Sequence, residues 1–287
     1  MPTDQLTLAT CANHRFFGAC LTLIESAQRT STPLLKEILV YDLGLKGWQK
    51  WALEQLDLVT VVAFPEHLKD IYPDFMNPIQ FAWKPYLWTD LHTRCDYAVY
   101  LDSGVEILQS LEPVLQILKE QDIFLIEDLD WKVSEFTHQA CVEIMKATEA
   151  ELGAYMLHAG ISGFKTNGKY REVFDEAYKY AQIPECIRGP RAKGPNQHRH
   201  DQSILSILSV RYDCPRQLLE TYGQWNWERA KQTPDCVLHV HRKRKGIRKA
   251  RPLIKPTTSG VSKCALSLLF KAVSCSRNKE CRTRYKL

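Results

Sequence analysis

The stretch Tyr97-Ala98-Val99-Tyr100-Leu101-Asp102-Ser103-Gly104 decides how this chain is read. Its first five residues, apolar, aromatic or β-branched, suit a buried strand, and the run stops at an acid followed by two small residues. Such an ending leaves a carboxylate at the strand's carboxyl end, where Ser and Gly do not obstruct a ligand, and that carboxylate can bind a divalent cation or ribose hydroxyls. Upstream, Phe81-Ala82-Trp83-Lys84-Pro85 opens a helix running to about Arg94, with Pro near its first position. Downstream, Val105-Glu106-Ile107 resumes an alternating pattern, and another strand, residues 123–126, ends in Glu127-Asp128-Leu129-Asp130.

The same logic extends to both sides. Residues 7–11 are a short extended run, followed by Phe16, Phe17, Cys20, Leu21, Leu23, Ile24 and Ala27 at helical spacing. Residues 37–41 form a buried-strand run closed by Asp42-Leu43-Gly44; a helical stretch over 48–56 and a strand over 58–64 complete a β-α-β-α-β alternation. That alternation predicts an α/β domain with a mostly parallel sheet, in which ligands bind beyond the carboxyl ends of the strands. Residues 157–164 (Leu-His-Ala-Gly-Ile-Ser-Gly-Phe) mix small and apolar side chains, so that Gly160 and Gly163 let the backbone approach a ligand. An amphipathic helix over 170–181 follows. A Pro- and Gly-containing basic loop, 187–197, then leads into His198-Arg199-His200-Asp201-Gln202 and a helical run over 204–210. Residues 236–240 form the last extended run; it contains His239, and His241 lies just beyond it.

The chain has 287 residues, 45% apolar and 25% charged, which suits a soluble globular protein and excludes a collagen-like, coiled-coil or disordered one. The apolar run at 265–270 is far short of the roughly 20 residues that cross a bilayer, and residues 1–9 lack the basic and apolar regions of a secretion signal. A cytoplasmic location, peripheral to a membrane if the tail described next binds one, is therefore expected. The net charge of +5 hides an asymmetry: residues 242–287 hold 15 Lys and Arg against the single acid Glu280, and the rest of the chain holds 23 bases against 32 acids. Ten scattered cysteines without a CxxC pair read as small core residues of a reducing compartment rather than as a zinc site.

Taken in order, these features resemble the GT-A type of nucleotide-sugar-dependent glycosyltransferase over roughly residues 7–245. The features are the first strand with Thr10 and Asn13 at its end, the second strand running into Asp42, the Phe81–Pro85 segment, Asp102-Ser103-Gly104, residues 158–164, His200-Asp201-Gln202, and Val237-Leu238-His239. The resemblance implies a GT-A Rossmann-like sandwich over residues 1–246, with 247–287 as a basic tail that is disordered or membrane-associated. It also implies transfer of a hexosyl or pentosyl group from a UDP-sugar to a hydroxyl acceptor on a glycan, glycolipid or protein.

Particular positions inherit expected roles from it. Asp102 stands where the first Asp of the family's DxD motif stands; Gly104 replaces the second, which removes one ligand from a Mn²⁺ or Mg²⁺ site. Asp102, His239 and His241 are the candidate metal ligands. Thr10, Asn13, Asp42, Lys84, Asp102, Ser103, Gly104, Gly160, Gly163, Lys243 and Lys245 are the candidate donor-binding residues, and Lys84 with Lys243 and Lys245 offers charge to a leaving diphosphate. Asp201 matches the acid that takes the acceptor's proton in inverting members, with His200 beside it. In retaining members a residue near this position serves the donor sugar instead.

Plainer readings compete. Asp after a strand is a common turn residue, His200 and Asp201 are placed to cap a helix, and a His on an apolar strand is often a core residue. Trp48, Trp51, Trp83 and Trp88 lie in helically spaced pairs, which suggests packing; Trp131, Trp225 and Trp227 are better acceptor candidates. Two other functions fit parts of the chain. A nucleotidyltransferase would be expected to carry a glycine-rich phosphate loop after the first strand, where only Gly18 and Arg15 stand. A phosphate- or anionic-membrane-binding protein would rely on the basic tail; the acidic body argues against nucleic acid as its partner.

Overall fold

The structure, a computed structural model, describes residues 5–189, 198–233 and 236–241. Lys243, Lys245 and the 247–287 tail lie outside the described residues.

Seven strands form the central sheet: β1 (Leu6–Ala12), β2 (Leu35–Asp42), β3 (Val59–Ala63), β4 (Tyr97–Leu101), β6 (Ile123–Lys132), β7 (Tyr155–Lys165) and β8 (Gln217–Leu218). Their order is β3-β2-β1-β4-β7-β6-β8, and every pairing is parallel except those of β7 with β4 and β6. A second sheet of three strands, ordered β5-β10-β9, combines β5 (Val105–Ile107), β9 (Gly223–Gln224) and β10 (Leu238–Val240).

The helices that matter for the site are α1 (Phe17–Ser31), α2 (Gly47–Glu54), α3 (Trp83–Leu91), α4 (Glu112–Gln121), α5 (Gln139–Met145), α6 (Arg171–Ala181), α7 (Pro184–Ile187) and α8 (Asp201–Arg211). They cover both faces of the central sheet, which explains why its inner strands read as continuous apolar runs rather than alternating ones. All seven residues of β1 are buried. Leu6 and Leu8 pack into one apolar core with Leu23, Ile24, Leu115 and Phe124, and Ala9 and Cys11 pack into the other with Trp83, Trp88, Tyr100 and Phe174.

The helical stripe expected from residue 16 forms α1, with Phe17, Cys20, Leu23, Ile24 and Ala27 buried. The 81–94 helix is shorter than expected: it starts at Trp83, so Pro85 occupies its third position, where the amide hydrogen it lacks would have had no helical partner in any case. The small-residue segment at 157–164 is the middle of β7, an eleven-residue strand inserted antiparallel between β4 and β6.

β1, β2, β4 and β6 run the same way, so their carboxyl ends share one edge of the sheet with the amino end of β7. The second sheet is tied to this edge. After β4 the chain turns at Asp102, with the Val105 amide donating to the Asp102 carbonyl at 2.9 Å, and β5 pairs antiparallel with β10, placing His239 opposite Glu106. The His241 amide donates to the Gly104 carbonyl at 2.9 Å. The C-terminal histidines are thus delivered to the acidic turn by backbone register.

Candidate active site

Three charged side chains from three elements meet at this edge. Lys84 of α3 places its ammonium 3.2 Å from Asp102 Oδ1 and 3.1 Å from Asp201 Oδ2, and also donates to the Ala159 carbonyl at 3.4 Å. The Lys84 and Asp201 side chains are 3% and 5% exposed, whereas that of Asp102 is 42% exposed. The ammonium is therefore enclosed, and Asp102 is the most exposed member of the trio. The rings of Phe81, Tyr100 and Trp83 stand 5.2, 5.2 and 5.9 Å from the Lys84 nitrogen, a cage that favours the cation.

Two carboxylates around one ammonium leave the cluster with a formal charge of −1, and its electrostatics divide the two acids. Partial burial works to raise the Asp102 carboxyl, but Lys84, the Tyr100 hydroxyl and His158 outweigh it and hold the group below the usual carboxylate range. Asp201 goes the other way: burial dominates, the Lys84 charge opposes it, Asp102 adds repulsion, and the carboxyl is pushed up to about 6. Burial also acts to lower Lys84, but Asp102 and Asp201 together hold it above its ordinary value, so it stays charged.

Asp201 is the first residue of α8 and His200 precedes it as the helix cap, without a side-chain capping bond. The Asp201 carboxylate reaches Lys84 instead. His200 thus holds the capping position through its backbone alone, and the Asp201 carboxylate takes part in the charged cluster. His200 has φ 54°, a left-handed backbone uncommon outside glycine, and its Nδ1 lies 2.8 Å from the Ile187 carbonyl while its ring packs against Phe81 at 5.9 Å. Its ring therefore lies against the wall of the site, and the carboxylate of the next residue joins the charged cluster.

The other sequence candidates fall into groups. Ser103 donates to the Cys11 carbonyl at 2.9 Å and fixes the turn after β4 to the end of β1. Asn13 Oδ1 accepts from the Arg15 and Phe16 amides, and Asp42 Oδ1 from the Gly44 and Leu45 amides, so both shape the loops that line the edge. Asp42 also forms an ion pair with Lys50. Thr10 lies inside β1 rather than at its end; it is buried, and its hydroxyl has no hydrogen-bond partner among the described residues.

Gly160 and Gly163 separate. A Cβ on Gly160 would come 2.6 Å from Asp102 Oδ2 and 2.9 Å from His158 Cε1, so this glycine keeps the space beside the acid open. A Cβ on Gly163 would instead meet Ala98 O, Val99 Cγ2 and Leu118 Cδ2 at 3.1–3.3 Å, all in the sheet and its covering helix. His239 packs on Trp227 at 5.0 Å and on His241 at 5.8 Å, and Trp225 packs on His158 at 4.9 Å. Among the described residues, no group of three or more His, Cys, Asp and Glu is arranged to hold a metal ion.

Tyr100 and Cys11 were missed in the sequence. The Tyr100 hydroxyl donates to Asp102 Oδ1 at 2.6 Å, and the Cys11 sulfur lies 3.2 Å from that hydroxyl. The signal for Tyr100 was present, since residues two apart on a strand share a face. Burial first, and Asp102 second, push the Cys11 thiol up to about 12, so it is a neutral partner of the hydroxyl.

The mostly parallel sheet, with one long antiparallel strand inside it and a small second sheet at the edge, is the GT-A glycosyltransferase fold. Solved structures to which the chain is similar in fold include the galactosyltransferase LgtC, crystallised with donor and acceptor sugar analogues, at 14% identity and a TM-score of 0.53 over 97% of this chain and 100% of that one. They also include WbbM, a bifunctional glycosyltransferase in its apo form, at 13% identity and a TM-score of 0.54 over 83% of this chain and 46% of that one. No family model and no curated protein sequence matches the chain.

Proposed function

We propose that the protein is a glycosyltransferase that moves a hexosyl or pentosyl group from a nucleoside-diphosphate sugar, with UDP as the nucleotide, to a hydroxyl on a glycan, glycolipid or protein. The observation that carries this reading is the Asp102–Lys84–Asp201 cluster, built from three elements at the ligand-binding edge of a GT-A sheet. In this reading half-exposed Asp102, held ionised by Lys84 and Tyr100, accepts hydrogen bonds from the donor. Gly160 leaves room for the donor sugar beside it. Asp201, ionised at neutral pH yet raised toward it, takes the proton of the acceptor hydroxyl as the new glycosidic bond forms and the bond to the diphosphate breaks.

The donor set suits a divalent ion held largely by the nucleotide. The cluster is net negative, Asp102 is a hard oxygen donor with one exposed side, and His241 is brought to the same turn. Asp102, with His239 or His241, would hold Mn²⁺ or Mg²⁺, and the diphosphate and water would fill the remaining positions. Bound there, the ion would supply positive charge to the departing diphosphate. Lys243 and Lys245 lie two and four residues beyond His241 in sequence and are proposed to add to that charge. The tail is proposed to associate with an anionic membrane surface near a glycolipid acceptor.

The test is release of UDP or GDP from a panel of nucleotide sugars with Mn²⁺ or Mg²⁺ present, using Asp102→Ala and Asp201→Ala as controls. Release from at least one donor, abolished in both variants, is expected. Full activity in both variants would overturn the site.

A further inference from the structure

We infer that the outer face of α2, with Trp48 and Trp51, docks the protein on an anionic phospholipid bilayer, with the edge that carries Asp102 and Asp201 turned toward the lipid. Helical pairs of Trp suggested packing, and Trp83 and Trp88 are indeed buried, but Trp48 and Trp51 are 50% and 62% exposed. α2 is anchored by Gln49, Ala52 and Leu53, which are buried, while both indoles stay exposed. Trp48 is braced edge-on against Phe17 with ring centroids 5.2 Å apart, so its exposure is built rather than incidental. Paired exposed indoles on a short helix suit the boundary of a bilayer, where an apolar ring and a polar N–H are both accommodated.

The charges around this pair are ordered along the helix. Exposed Lys46 immediately precedes α2, and exposed Arg15 lies in the β1–α1 loop. That loop is tied to the start of α2 by Gln49 Nε2 donating to the His14 carbonyl at 3.2 Å and by the His14 amide donating to the Gly44 carbonyl at 3.0 Å. Asp42, the acid at this end, is paired with Lys50. The exposed acids Glu54 and Asp57 lie at the far end of the helix. The cationic end is thus the one at the carboxyl edge of the sheet. There too, the His241 amide bonds to Gly104, and the sequence beyond holds 15 Lys and Arg against one acid. Exposed indoles beside the exposed cations Arg15 and Lys46 fit an anionic lipid surface better than a single scattered apolar residue would.

This inference stands apart from the glycosyl-transfer reading, because its readout is binding to lipid without any donor. The full chain is mixed with vesicles of phosphatidylcholine containing phosphatidylglycerol, and with vesicles of phosphatidylcholine alone, and binding is measured by co-sedimentation. Trp48→Ser/Trp51→Ser and Arg15→Ala/Lys46→Ala are compared after circular dichroism confirms that both are folded. The wild type is expected to prefer the anionic vesicles, and each double variant to bind them on the order of tenfold more weakly. Brominated acyl chains are expected to quench wild-type tryptophan fluorescence, a readout that needs no variant. Unchanged binding by the Trp variant would assign binding to the tail alone and overturn the inference. Absence of wild-type binding, equal binding to both vesicle types, or absence of quenching would overturn it as well.

Discussion

Lys84 carries an uncommon burden for one side chain: it is in contact with two acids, one buried and one half-exposed, and it is itself enclosed. Replacing it by Met leaves Asp201 buried beside another carboxylate, a change that typically costs about 3–5 kcal/mol. Lys84→Met should therefore lower the urea midpoint strongly, and adding Asp201→Asn should restore part of the loss because the stranded buried charge is removed with it. A midpoint for the double variant no higher than for the single one would show that the two residues do not act as a pair. Asp201 also sets a pH dependence. Its carboxyl is raised to about 6, so it is ionised and able to take a proton above that pH, and is progressively protonated below it. Transfer is expected to fall about tenfold per pH unit below 6 and to level off above it. Measured as nucleotide release against pH, that limb should vanish in Asp201→Asn along with most of the activity. Asp102 was legible as a candidate from the end of its strand and Asp201 from the resemblance to GT-A enzymes, but the partition of their protonation was not, because it arises from burial and from one another.

At the scale of elements, β7 shows where sequence reading succeeds and where it stops. Residues 157–164 stood out for their small side chains, and the strand does pass beside Asp102: the Asp102 amide donates to the Gly160 carbonyl at 2.8 Å. Direction was not legible, since an antiparallel insertion between β4 and β6 depends on pairing partners remote in sequence. The two glycines consequently looked alike and are not. Gly160→Ala would push against the Asp102 carboxylate and His158, a clash that those side chains relieve only by leaving their present positions. Nucleotide-sugar binding should be lost with little change in stability. Gly163→Ala instead crowds the Ala98 carbonyl and two core side chains, an overpacking cost of about 1–3 kcal/mol, with donor affinity retained. Calorimetric titration and thermal melting on both variants separate these outcomes, and a matched loss of binding in the two would remove the distinction. The same long-range pairing explains the histidines: His241 reaches the acidic turn because β10 pairs with β5, more than 130 residues earlier in the chain.

At the scale of the whole molecule, the division into an acidic body and a basic C-terminal stretch was legible from charge alone, and the fold gives it a direction. β10 ends at the same sheet edge as β1, β2 and β4, so the basic stretch departs from beside the charged cluster and from the side on which Lys46 and Arg15 are exposed. What charge counting could not supply was that α2 exposes its two indoles, since helical spacing makes a stripe but does not say whether another layer covers it. The two proposals place donor binding and lipid docking on neighbouring but distinct surfaces. A ligand that binds only the native state stabilises it by about 2.7 kcal/mol at a hundredfold excess over its dissociation constant. For a chain of this size, that corresponds to a rise of roughly 5–10 °C in melting temperature. The true nucleotide sugar should produce that shift in the wild type and equally in Trp48→Ser/Trp51→Ser, and lose it in Asp102→Ala. Loss of the shift in the Trp variant would mean that α2 belongs to the donor site, and the two surfaces would have to be treated as one.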